Sequence, residues 1–283
     1  MLNSLIKGAR RIPTYANQVY YKDGTYIKVF DQAWEARKAI LVYKLLDDIP
    51  VPRILKSGRN YIVITEIKGE TLAKAKYDKE KIAAQLGTIL AKIHSRTYSK
   101  FGDLSGRGVG KSQEINAGPF TTWKEMHQAI VKHRLTYFKK TKFEHLIKPI
   151  QQYFRQNEHL IDYKITPRLL HIDLNKKNIL VKKDRIVGIL DAEGGFVGHN
   201  EEDLMRTELA QFGDVFAKKS KCRDLFFRAY QKLIPLDKGY EERHKFYWLS
   251  RAMVEMRCII QFPDYNDPEF PEKVEDFLNQ NIK

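Results

Sequence analysis

The sequence predicts an α+β fold of two lobes: a small antiparallel-sheet lobe with one helix, then a larger, mainly helical lobe. Three observations carry this reading. Residues up to about 65 alternate short β-patterned runs with turn signals around one helical run. Beyond them the apolar residues recur at helical spacing. One isolated hairpin pattern, near residue 180, lies inside the helical part. The predicted division is 1–66 and 67–283. A chain of 283 residues with 43% hydrophobic content can fill such a two-lobed core, and its 30% charged content argues against disorder.

In order, 18–21 and 25–30 read as strands joined by Lys22-Asp23-Gly24, since Asp-Gly is a strong hairpin signal. Residues 32–46 read as a helix with Ala36, Ile40, Val42, Tyr43 and Leu46 on its apolar side. Pro50 and Pro52 stop it. Residues 53–56 and 61–64 bracket Ser57-Gly58-Arg59-Asn60 as a second hairpin. A connector follows at 65–72. Residues 78–94 form an amphipathic helix through Ile82, Leu86, Ile89, Leu90 and Ile93. A glycine-rich loop spans 100–119, and helices are predicted at 123–139, 143–156, 201–216, 221–232, 240–260 and 271–279. The hairpin comprises 179–181 and 185–190 around Lys182-Lys183-Asp184.

The chemistry concentrates in His171-Ile172-Asp173-Leu174-Asn175-Lys176-Lys177-Asn178, just before that hairpin, and in Asp191 at its end. Phosphoryl transfer asks for an oriented nucleophile and neutralised phosphate charge. Asp173 can orient the attacking hydroxyl and accept its proton. The amide oxygen of Asn178 and the carboxylate of Asp191 are hard ligands that suit Mg²⁺. Glu193 can assist through water. A single Asp or Asn would be an ordinary loop residue; the ordered set before and after one hairpin is not. Lys28, on the strand Tyr26-Ile27-Lys28-Val29-Phe30, can reach the α- and β-phosphates of a nucleotide. Glu35 on the next helix can hold it as an ion pair, with Asp31 and Glu70 as rival partners. Main-chain groups of Glu66 and Ile67 are the expected adenine contacts. Asp203 either caps its own helix or holds the catalytic loop through backbone amides and His171, which itself reads as a loop organiser rather than a base.

Other signals fail. Gly106-Arg107-Gly108-Val109-Gly110-Lys111-Ser112 looks like a phosphate loop, but Ser105 stands where its first glycine belongs. The eight histidines and two cysteines, Cys222 and Cys258, show no zinc-ligand spacing in the sequence and no disulfide framework. The net charge of +15 favours anionic partners, yet the lysines are dispersed, which argues against nucleic acid. No apolar run reaches membrane-spanning length, and the N-terminal residues are short, basic and polar-broken, so a cytoplasmic protein without a signal peptide is expected. Nothing in the pattern sets an oligomeric state.

These residues resemble the aminoglycoside phosphotransferase and choline kinase superfamily, relatives of protein kinases. Its catalytic loop, His-Gly-Asp-Leu-x-x-x-Asn-Ile-Leu, corresponds to His171-Ile172-Asp173-Leu174 through Asn178-Ile179-Leu180. Its Ile-Asp-Trp-Glu and later Asp-Leu-Ala correspond to Leu190-Asp191-Ala192-Glu193 and Asp203-Leu204-Met205. The resemblance implies a protein-kinase-like fold, ATP (GTP not set aside) and Mg²⁺. It implies Asp173 as base, Asn178 and Asp191 as metal ligands, and Lys28 on the phosphates. Two departures stand out: Ile172 replaces the usual glycine, and no glycine-rich loop precedes Asn17, so 13–17 must cover the phosphates. Weaker similarity to fructosamine (ketosamine) kinases lies in 198–203 and 235–243.

The implied enzyme is a phosphotransferase acting on an alcohol group of an aminoglycoside, amino sugar, ketosamine or related metabolite. The alternatives are an atypical protein kinase, which the short run after Asp191 disfavours, and a non-catalytic nucleotide-binding protein on the same fold. The segment 262–283 carries a net charge of −4, which would favour a cationic acceptor if it lines the cleft.

Overall fold

The computed structural model describes residues 2–14, 17–104, 120–213, 220–262 and 267–282. The first sheet has five antiparallel strands in the order β1-β2-β3-β5-β4. They are β1 (Arg10–Ile12), β2 (Gln18–Lys22), β3 (Thr25–Val29), β4 (Ile54–Ser57) and β5 (Tyr61–Thr65). At the β2–β3 turn Asp23 and Gly24 both take positive φ, 47° and 72°, the geometry that matches the twist of a two-residue hairpin. β1 was not predicted: three residues with no alternation leave no signal, and only pairing of Arg10 with Tyr21 through Ile12 with Val19 defines it.

Each face of this sheet is covered by a different helix. On one side α2 (Ala33–Leu45) buries Ala36, Ala39, Val42 and Tyr43 in a core with Phe30, Ile62 and Ile64. On the other, α1 (Leu2–Ile6) lays Leu2, Leu5 and Ile6 over Ile27, Tyr61 and Val63. Burial on both sides is why β5 is a nearly continuous apolar run, whereas β3 carries Lys28 among its apolar residues.

The remainder is mostly helix. α3 (Lys79–His94) starts at Asp78, whose carboxylate accepts from the Glu80 and Lys81 amides. It packs closely along α7 (Lys221–Tyr230): a Cβ at Gly87 would lie 2.1 Å from the Phe226 carbonyl oxygen. α4 (Trp123–Arg134) has a capping box of Thr122 and Glu125. It passes into a 3₁₀ turn at Leu135–Phe138, where a single helix to 139 was predicted. α5 (Ile147–Gln156), α8 (Tyr240–Gln261) and α9 (Phe270–Asn281) build a second core with α4. α6 (Asn200–Phe212) reaches its C-cap at Gly213, φ 82°, and the last residues of the predicted helix, 214–216, lie outside the described residues.

Short strands organise the space between the helices. β6 (Glu70–Thr71), β8 (Ile179–Lys182) and β9 (Arg185–Ile189) form one small sheet, β7 (Arg168–Leu170) and β10 (Phe196–Gly198) another. The glycine-rich stretch 106–112 lies outside the described residues. Among the described residues no helix is long and apolar enough to cross a membrane.

Candidate active site

The loop 171–178 runs from β7 to β8, and Asp203 near the start of α6 fixes its entry. The buried Asp203 carboxylate accepts from the backbone N–H of His171 (2.6 Å) and of Ile172 (3.0 Å). It also faces His94 Nε2 at 3.1 Å. His94 Nδ1 meets the Tyr230 hydroxyl at 2.8 Å, and Asn200 donates to that hydroxyl. One assignment satisfies every group: Asn200 to Tyr230, Tyr230 to His94, His94 to Asp203. Burial pushes the His94 imidazole down and favours its neutral form. Burial also opposes charge on Asp203, but His94 and the loop amides outweigh it and hold the carboxyl below its usual range. Of the two roles foreseen for Asp203, loop support is the one it performs.

Ile172 sits at φ 67°. Two consecutive amides point at Asp203, and the third, of Asp173, donates to His171 Nδ1 (3.2 Å), so the chain must turn back on itself there. A β-branched residue in this region is strained by about 1–2 kcal/mol. Ile172→Gly is expected to change stability by less than about 1 kcal/mol. Relief of that strain offsets roughly 1 kcal/mol of half-buried packing and the added backbone entropy of glycine. Urea unfolding checks it.

The turn delivers Asp173. Its Oδ1 accepts from Arg206 Nη2 (2.7 Å) and Asn175 Nδ2 (3.0 Å), and its Oδ2 from Asn178 Nδ2 (2.8 Å). Burial works against ionisation here, yet Arg206 and the Asn175 amide prevail and hold the carboxyl below its ordinary value. With Asn178 Nδ2 committed to Asp173, its Oδ1 is the atom left to act as a ligand. Strand register brings Asp191 alongside: Ile179 pairs with Ile189, and the Leu190 amide donates to the Asn178 carbonyl (2.8 Å). Asp191 has φ 57° and a side chain 52% exposed, with one oxygen held by Lys28. Two hard oxygen donors thus flank the end of one hairpin, a donor set that fits a divalent cation.

Lys28 reaches this point from β3. Its ammonium lies 2.5 Å from Asp191 Oδ1 and also contacts Glu193, which accepts from the Tyr43 hydroxyl (3.0 Å) of α2. Burial opposes the lysine charge, but Glu193, Tyr43 and Asp191 together hold it well above its usual range. The expected Lys28–Glu35 ion pair is not formed. α2 begins at Ala33, so Glu35 stands in its first turn, where the Gln32 amide claims the carboxylate at 3.0 Å. Glu193 takes the place foreseen for Glu35.

Along the connector, the Glu66 amide is spent on the Gly24 carbonyl (3.0 Å) and its side chain accepts from Tyr21 (3.2 Å). The Ile67 side chain lies over Gly188 of β9. The acidic C-terminal helix α9 packs on α5 and α8, with Glu275 at His145. Asp264 lies outside the described residues.

Sequence reasoning missed Tyr43 and Arg206. A signal for Arg206 existed: it lies three residues after Asp203, on the neighbouring position of the same helix face. Arg206→Gln is expected to move the acid limb of the kcat/KM profile upward. A base whose pKa is depressed stays ionised to lower pH, and losing the guanidinium lets it protonate earlier. Rate–pH profiles of both proteins check it.

A small antiparallel sheet with one helix across it, a helical second part and a loop-and-hairpin set of Asp, Asn and Asp define the protein-kinase-like class. The fructosamine kinase family model matches residues 22–263, and the chain belongs to that family. It is 26% identical over 194 residues to a protein of Enterococcus faecium provisionally named a ketoamine kinase. It is 31% identical over 180 residues to the chloroplastic protein-ribulosamine 3-kinase of Arabidopsis thaliana. Those matches cover 67% and 59% of this chain, but only 65% and 49% of the relatives' own lengths. Among solved structures, one from Thermobifida fusca, provisionally assigned as a fructosamine-3-kinase, superposes with a TM-score of 0.69 at 19% identity, covering 96% of this chain and 92% of that one. The ADP-bound aminoglycoside phosphotransferase APH(2'')-Ib gives 0.62 at 18%, covering 99% and 97%. At these identities the structural likeness speaks to the fold.

Proposed function

We propose that this chain transfers the γ-phosphate of ATP to a hydroxyl of a ketoamine, a sugar joined to an amine through a ketose carbon. The observation that carries the reading is the meeting of Asp173, Asn178, Asp191 and Lys28 around one hairpin end, in a chain of the fructosamine kinase family.

The residues divide the work. Asp173 orients the acceptor hydroxyl and takes its proton as the oxygen–phosphorus bond forms. Arg206 and Asn178 keep that carboxylate ionised and aimed. Lys28 neutralises charge on the phosphates, with Glu193 and Tyr43 setting its position. A divalent cation, Mg²⁺ by the hardness of the donors, would be held by Asn178 Oδ1 and Asp191 and would supply the remaining charge neutralisation. The Glu66 carbonyl and the main chain of Ile67 offer the adenine edge its contacts. A phosphate cover would have to come from residues 13–17, of which Tyr15 and Ala16 fall outside the described residues. With the lobe boundary taken at 66/67, Lys28 belongs to the first lobe and the hairpin to the second. Two unpaired cysteines suit a reducing, cytoplasmic setting.

ADP release with Mg·ATP against a panel of fructosamines, ribulosamines, aminoglycosides and choline tests the proposal. Acceptor-dependent turnover with the ketoamines and none with the others is the expected result. Turnover only with aminoglycosides would overturn the acceptor assignment. Nucleotide binding without turnover on any acceptor would favour a non-catalytic role.

A further inference from the structure

We infer that His199, Glu201 and Asp237 bind one divalent transition-metal ion, Zn²⁺ by donor type, at a site separate from the phosphate-transfer centre. His199 is the N-cap of α6, Glu201 lies in its first turn, and Asp237 comes from the segment entering α8. Their nearest donor atoms lie within 4.8 Å of one another, the one such group of three among the described residues. His199 Nε2 stands 3.8 Å from Glu201 Oε1 and 3.6 Å from Asp237 Oδ2. Donors about 2.0–2.2 Å from a tetrahedral ion are separated by roughly 3.3–3.6 Å, so each carboxylate is already close to that spacing from Nε2, and the two carboxylate oxygens start within 4.8 Å of each other. The same distances are too long for hydrogen bonds.

A second observation points the same way. His199 is fully buried, and its Nε2 has no hydrogen-bond partner. A buried ring nitrogen left unpaired beside two carboxylates is costly and asks for a partner. The rest of the ring is fixed as metal-ligand histidines are: Nδ1 contacts the Tyr247 hydroxyl, which also accepts from Trp123 Nε1 at 2.9 Å. The Tyr247 oxygen has two lone pairs, enough for both N–H groups. In that tautomer the Nε2 lone pair turns to the carboxylates, as metal binding requires; in the other, with Tyr247 donating to Nδ1, it is Nε2–H that faces them, and a metal ion would displace that proton.

The other two ligands are also held. Arg243 forks onto Glu201, Nε to Oε2 at 2.7 Å and Nη2 to Oε1 at 2.6 Å, and Tyr163 donates to Asp237 Oδ2 at 3.0 Å. Two carboxylates against one guanidinium leave a net negative site for a cation. One imidazole nitrogen with two carboxylate oxygens suits Zn²⁺ better than the all-oxygen preference of Mg²⁺. The Asp237 side chain is 47% exposed, which gives the ion a way in and room for a water ligand. Bound metal would tie the segment before α8 to the start of α6, the helix whose Asp203 holds the catalytic loop.

The test uses the full chain, stripped with chelator, without nucleotide or Mg²⁺. Zn²⁺ titration by calorimetry and Co²⁺ titration by visible absorption should each saturate at one equivalent. Zn²⁺ about a hundredfold above its Kd should raise Tm by on the order of 5 °C. His199→Gln should abolish binding. Because His199 is buried and that variant can misfold, the half-exposed Asp237→Asn is the deciding one, and it should weaken Zn²⁺ at least about tenfold. Absence of saturable binding, or equal binding by Asp237→Asn, would overturn the site and assign any metal uptake to surface histidines such as His145.

Discussion

Asp173→Asn should slow phosphate transfer by roughly 10²–10⁴-fold, the range a positioned general base supplies, while nucleotide affinity stays nearly unchanged. The substitution keeps the shape of the side chain, and Arg206, Asn175 and Asn178 still surround it. What it removes is the charge that draws the hydroxyl proton. Lys28 and Asp191 keep their contacts, and only Asn178, whose amide nitrogen would face the new amide in place of Asp173 Oδ2, loses a hydrogen bond, so most of the proposed grip on the phosphates should survive. Steady-state kinetics beside a nucleotide titration separate the two effects. A parallel loss of both would make Asp173 part of the nucleotide grip instead.

The largest stability effect is expected at Asp203. Asp203→Ala leaves the amides of His171 and Ile172 and the His94 imidazole without their acceptor, all three groups being buried or nearly so. A buried donor left without an acceptor costs about 1–3 kcal/mol, so the three together cost on the order of 3–5 kcal/mol, measurable by urea unfolding. The pH dependence has a definite sign. The Asp203 carboxyl is held below its ordinary value in the native state, so its contribution is fully present above the unfolded pKa of about 3.9. It is lost as pH falls through the lowered native value. The gap between wild type and variant should therefore persist near neutrality and narrow in acid.

How much of this was legible in the sequence depended on whether the signal was local. The Asp-Gly turn, the proline stop after α2 and the apolar stripe of α3 are short-range features, and the corresponding elements formed at or near the expected positions. β1, β7 and β10 have three residues each and exist through cross-strand pairing, which no local pattern encodes. The loop residues Asp173, Asn178 and Asp191 could be read together because one hairpin returns the chain to its start. Lys28 was readable as a strand lysine, but its partner was not. The helix-based expectation favoured Glu35, whereas the first turn of α2 has unsatisfied amides that claim that carboxylate, and Glu193, 165 positions away, meets the lysine. Ile172 illustrates the converse. Its mismatch with a glycine position was visible, and the structure gives the reason: Asp203 pulls the preceding amides into a turn whatever the side chain.

Phosphorus NMR of the wild-type chain with Mg·ATP and a synthetic fructosamine addresses the central claim most directly. A new phosphomonoester resonance should grow in step with ADP and be absent with Asp173→Asn. An unchanged ATP spectrum across ketoamine acceptors, or ester formation by the Asp173 variant at the wild-type rate, would contradict the assignment of this loop and hairpin as the transfer centre.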